Sequence, residues 1–150
     1  MHLLSYFFPK IIFKTSSRYN HDIRVINERG KYKLLVKGSR QSGEYIKGLW
    51  QHAFSEFGII SSPGIRTILV LGVAGGTVIR LLHAMYPDAV IDGVDIDAKM
   101  IEIGKRYFSL SLVSGLTLTT KDAREFVAEA GKRGKTWDLV LADTYIGASI

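Results

Sequence analysis

Three acids and a glycine-rich loop are this chain's candidates for chemistry. The stretch "LVLGVAGGTVIR", Leu69 to Arg80, leads an apolar run into Gly72, Gly75 and Gly76 and then turns at once to a helical pattern. Missing side chains at such a turn let a ligand approach the backbone, and the first N–H groups of the following helix point outward. The spacing is not G-x-G-x-x-G, so a dinucleotide fingerprint is not what it spells. Asp95 strengthens the reading. It follows Gly72 by 23 residues and ends the next apolar run, where a carboxylate can accept both hydroxyls of a ribose. Asp122 opens "KDAREF", where an acid with Glu125 three residues on also fits a helix-capping pattern, compatible with a contact to an adenine amino group. Asp143 in "LVLADTY" closes a fourth run at the same edge.

Periodicity places these residues on a series of strands and helices. "TILVLG" is a continuous apolar run of the kind buried on both faces of a parallel sheet. Thr77 to Met85 read as a helix, "AVIDGVDID" as a second strand, and Met100, Ile101, Gly104, Tyr107 and Phe108 as one face of a second helix. "GLTLTT" and "WDLVLAD" flank a helix near Ala123–Ala130. The series is β-α-β-α-β-α-β, which right-handed crossovers fold into an α/β, doubly wound, Rossmann-like parallel sheet over residues 65–150. Such a sheet normally continues past a fourth strand, so the domain is expected to be incomplete at Ile150. The apolar "WDLVLA" edge then predicts either self-association into a homo-oligomer or marginal stability of the chain alone.

Residues 1–60 read differently. "HDIRVINERGKYKLLVKG" carries two β-rich runs, Ile23–Asn27 and Tyr32–Val36, around a short turn, and "GEYIKGLWQHAFSEFGI" has helical spacing. A small β-hairpin unit with a linking helix is expected, ending at the "SSPGIR" loop.

Composition limits the function classes. The chain has 150 residues, 47% of them hydrophobic, enough for one modest core. No cysteine occurs and the four His residues show no ligand spacing, so no metal is expected. The apolar start "MHLLSYFFPKIIFK" lacks a basic lead and is interrupted by Pro9 and Lys10, which argues against a secretion signal. No apolar run approaches the roughly 18 residues of a membrane span. A soluble, cytoplasmic protein without a membrane partner is expected. The net charge of +6 belongs to the N-terminal part: up to Arg66 there are 11 Lys and Arg against 4 Asp and Glu. Those charges alternate with apolar residues, as on a solvated strand face, and no nucleic-acid partner is expected.

Taken together, "ILVLGVAGGTVIRLL", "IDGVDIDAKMIEIGKRYF", "TKDAREF" and "WDLVLADTY" resemble the nucleotide-site motifs of the spermidine synthase family, within the class I S-adenosylmethionine-dependent methyltransferase folds. "SRYNHDIRVI", "KGSRQ" and "WQHAF" are similar to the unit that precedes the catalytic domain in aminopropyltransferases, so the resemblance runs from Ser17 to Gly147. It implies a small-molecule transferase using S-adenosylmethionine or its decarboxylated form as co-substrate. Gln41, Gly72, Ala74, Gly75, Gly76, Asp95, Ile96, Asp122 and Ala123 would line the nucleotide. Asp143 would be the catalytic acid that orients and deprotonates the attacking amine.

Four positions depart from the family. Its loop Asp, which clamps the aminopropyl ammonium, is Ala74 here; its diamine-binding acid is Ile146; its catalytic Tyr is Trp50; and a nucleotide-contacting Gln is Asn20 or His21. Cationic polyamines need carboxylates facing them. The departures therefore argue against spermidine synthesis while leaving the adenosine half of the site intact. Three readings stay open: a spermidine synthase-like transferase, a small-molecule methyltransferase, and a non-catalytic nucleotide-binding or interaction module. The second lacks the acid often found two residues before the first loop glycine, where Val70 stands.

Overall fold

The computed structural model describes residues 8–144. Two four-stranded sheets share the chain. The first is antiparallel and meanders in sequence order through β1 (Lys10–Thr15), β2 (Ile23–Glu28), β3 (Lys31–Val36) and β4 (Ser39–Ser42). Helix α1 (Glu44–Glu56) leads to the second sheet. There β5 (Thr67–Leu71), β6 (Val90–Asp95), β7 (Leu116–Thr120) and β8 (Leu139–Ala142) alternate with α2 (Thr77–Met85), α3 (Ala98–Tyr107) and α4 (Ala123–Lys132). All its pairings are parallel and its order is β7-β6-β5-β8. The doubly wound α/β sheet anticipated from the β-α alternation is present, with α2 spanning the residues its periodicity indicated.

Strand β5 is buried because the sheet is covered on both sides. Ile68 and Val70 join a core with Phe54, Ile79, Leu82 and Ile91, while Leu69 and Leu71 join another with Val94, Ala123, Phe126 and Trp137. Successive side chains of a strand point to opposite faces, so a run without polar breaks is what two covered faces require.

The N-terminal unit is larger than the expected hairpin. Strands β1 and β4 flank it, and both have weak signals: β1 buries no residue fully, and β4 is the polar "SRQS". Alternation in the central pair aims Ile23, Val25, Leu34 and Val36 inward, with Ile23 opposite Val36 and Val25 opposite Leu34. This face packs on Met100, Ile103 and Phe108. The first sheet thus sits directly over α3, and its loops reach the carboxyl edge of the parallel sheet.

Acids at the opposite end of that sheet serve structure. Asp138 accepts the backbone N–H groups of Arg66 (2.9 Å) and Thr67 (2.8 Å), and buried Asp92 accepts from Lys135 Nζ (2.7 Å) and Trp137 Nε1 (2.8 Å). Among the described residues β8 pairs on one side only, and no helix is long and apolar enough to cross a membrane.

Candidate functional site

Strand order reverses beside β5, with β6 on one side and β8 on the other, and open α/β sheets bind ligands at the carboxyl edge of such a point. A cavity of about 420 Å³ lies there. Gln41, Gly72, Ala74, Asp95, Ile96, Asp122, Ala123 and Asp143 all line it, although they come from five separate stretches of chain. Tyr19, Asn20, Met100, Lys121 and Arg124 are among its other lining residues, and of these only Asn20 is a position that the family resemblance singles out.

Gly72 lies at φ 91°, and a Cβ there would come 2.1 Å from the Asp143 carbonyl oxygen. Only glycine lets β5 and β8 end so close together. Gly75 and Gly76 do a different job from the one their position suggested. Neither lines the cavity: a Cβ on Gly75 would meet Ser42 Oγ at 2.4 Å, and one on Gly76 would meet the Leu110 side chain at 2.3 Å. The Gly75 N–H donates to Ser42 Oγ (2.9 Å), which ties the loop to β4. The two glycines allow close packing beneath the loop.

Asp95 braces the loop. Its Oδ2 accepts from the N–H groups of Val73 (2.9 Å) and Ala74 (3.1 Å), and its Oδ1 accepts from the Asp97 N–H (2.9 Å). A carboxylate offers about four acceptor positions, so one remains, on Oδ1. The expectation that both ribose hydroxyls could be accepted is therefore too generous, because loop amides already occupy Oδ2. Burial raises the Asp95 pKa above its ordinary value despite these bonds. Asp122 caps α4 through Oδ1, which accepts from Arg124 N (2.9 Å) and Glu125 N (3.2 Å). Its Oδ2 has no hydrogen-bond partner among the described residues.

Asp97 carried no role in the sequence reading, yet it holds the roof. Buried at 2% exposure, it caps α3 by accepting from Lys99 N (3.0 Å) and also accepts from Asn20 Nδ2 (2.7 Å) and Ser17 Oγ. The segment bearing Tyr19 and Asn20 is thereby anchored to the end of β6. Asp97→Ala is expected to destabilise the chain by about 2–4 kcal/mol, since a helix cap and two further charge-assisted bonds are lost together. Urea unfolding measures it, and a change below about 1 kcal/mol would contradict this anchoring.

A second cavity of about 330 Å³ adjoins the first. Gln41 and Asp143 line both, and Arg40, Ile46, Leu49, Trp50 and Ala53 complete the second. Partial desolvation raises the Asp143 pKa above its ordinary value, which makes it a stronger base when ionised. Trp50 packs on Phe54 and presents no hydroxyl to this cavity. Exposed His21 lines neither cavity; Ile146 lies outside the described residues. Among the described residues no cluster of His, Cys, Asp or Glu is placed to hold a metal ion.

No family model matches the chain. A polyamine aminopropyltransferase of Vibrio vulnificus is 33% identical over 93 residues, 62% of this chain and 31% of that protein. A probable spermidine synthase from Corynebacterium glutamicum superposes with a TM-score of 0.70 at 18% identity, over 93% of this chain and 54% of that one. The chain is similar in sequence to a polyamine aminopropyltransferase and has the Rossmann-like methyltransferase-type fold of these neighbours. The chain also matches an eEF1A lysine and N-terminal methyltransferase homolog of Drosophila melanogaster, 33% identical over 78 residues, 52% of this chain and 12% of that protein. It spans about a third of the Vibrio relative and about half of the Corynebacterium structure.

Proposed function

We propose that the chain binds an adenosine-type sulfonium nucleotide, S-adenosylmethionine or its decarboxylated form, in the larger cavity and passes an alkyl group to a small acceptor in the smaller one. The observation that carries this reading is the shared wall: Asp143 and Gln41 stand where the two cavities meet. Asp95, through its remaining Oδ1 position, accepts a ribose hydroxyl. The free Oδ2 of Asp122 faces the adenine amino group, with Ile96 and Ala123 against the ring. When bound, the sulfonium supplies a carbon already activated for in-line displacement. The acceptor's lone pair forms the new bond to that carbon, the carbon–sulfur pair returns to sulfur as a neutral thioether, and Asp143 takes the acceptor's proton. Positioning and deprotonation are all the protein must add, so no metal is required.

Calorimetric titration with S-adenosylmethionine, its decarboxylated form and methylthioadenosine tests the nucleotide half. Binding of at least one is expected; binding of none would favour the interaction module. The match to a methyltransferase homolog supports methyl transfer as the second reading.

Affinity for methylthioadenosine should also depend on pH. The ribose contact needs Asp95 ionised, and burial raises its pKa. Binding is therefore complete above the raised pKa and lost as pH falls through it, beginning above the usual 3.8. Affinity that stays flat down to pH 4 in a still folded chain would exclude Asp95 from the contact.

A further inference from the structure

The smaller cavity carries charge of a kind that polyamines would not choose. Its charged lining residues are Arg40 and Asp143, and its remaining wall is mostly apolar: Ile46, Leu49, Trp50 and Ala53. Arg40 forms no ion pair among the described residues, although its charge is felt by Glu28, itself paired with Lys33. Its guanidinium lies over the Tyr45 ring at 5.2 Å, which holds the fork in place while leaving its N–H groups unspent. A planar fork with open donors matches a carboxylate.

We infer that the acceptor is a small molecule with a carboxylate at one end, read by Arg40, and an aromatic or apolar body lying along Leu49 and Trp50. Its nucleophilic amine or hydroxyl is turned to Asp143. The inference rests on the transferase reading above for the role of Asp143, but its charge preference is a property of the smaller cavity alone. A dication entering here meets one carboxylate and one like charge. A carboxylate acceptor meets its complement at both ends, and the apolar wall formed by Leu49 and Trp50 suits a ring.

Three probes built on one ring system isolate charge: indole-3-acetate, indole-3-ethanol and tryptamine, titrated into the full chain with and without methylthioadenosine. Indole-3-acetate is expected to bind at least tenfold tighter than tryptamine, with the alcohol between them. Arg40→Glu should reverse that order and Arg40→Lys should keep it in weakened form; Arg40 is exposed, and thermal melting verifies that both variants fold. Equal or tighter binding of tryptamine by the unmodified chain, no binding of any probe at 10 mM, or a preference that survives Arg40→Glu would each overturn the inference. Phenyl phosphate binding tenfold tighter than indole-3-acetate would also overturn it, because a phosphate group would then be the preferred partner. Methylthioadenosine keeps the two readings apart. If it binds and the anion preference is absent, the acceptor inference fails alone; if it does not bind and the preference is present, the nucleotide reading fails alone.

Discussion

Putrescine and decarboxylated S-adenosylmethionine mixed with this chain are expected to give no detectable spermidine. Two sets of charges decide it. On the donor side the loop presents Ala74, so an aminopropyl ammonium has no carboxylate from that position. On the acceptor side a diamine would meet Asp143 together with the like charge of Arg40. An ammonium taken from water without a partner is penalised by about 4 kcal/mol, on the order of a thousandfold in affinity. Chromatographic detection of spermidine above the uncatalysed background would contradict both placements. The restoring change Ala74→Asp sharpens the test. Ala74 lies at φ 46°, a conformation that Asp tolerates better than Ala, so the substitution adds no backbone strain. It should improve binding of the decarboxylated donor by about ten- to a hundredfold, the value of one charge-assisted bond, and leave methylthioadenosine, which lacks the ammonium, within a few fold.

Asp95→Ala is expected to lower methylthioadenosine affinity by about 30- to 150-fold, a loss of about 2–3 kcal/mol. Two contributions fall together. The hydroxyl contact to Oδ1 disappears, and the N–H groups of Val73 and Ala74 lose the acceptor that shapes the loop. The variant should therefore also unfold at lower denaturant. Calorimetry separates the effects, because a folded variant with undiminished affinity would remove Asp95 from nucleotide recognition.

The parallel half of the fold was legible because its physics is local. A strand covered on both faces must be apolar throughout, and "TILVL" is; a helix with one covered face must repeat near 3.6, and α2 does. Strand β4 was not legible, since "SRQS" has no strand propensity of its own. Its pairing with β3, and Ser42 Oγ accepting the Gly75 N–H, hold it in place. Glycine roles were opaque for a related reason. Whether an absent side chain makes room for a ligand or for a neighbour depends on residues far along the chain, here Ser42 and Leu110. The acids at the carboxyl edge were found by position, but their shares of work were not. Asp95 gives most of its capacity to backbone amides, two of them in the loop, and the anchoring by Asp97 depends on Ser17 and Asn20, nearly 80 residues earlier.

Backbone amide NMR during titration with methylthioadenosine reads nucleotide binding at the carboxyl edge residue by residue. Saturable shifts are expected, concentrated at Val73, Ala74, Ile96, Asp97 and Ala123, the amides that surround the Asp95 and Asp122 carboxylates. No saturable shift, or shifts centred away from the carboxyl edge of β5 and β6, would contradict it.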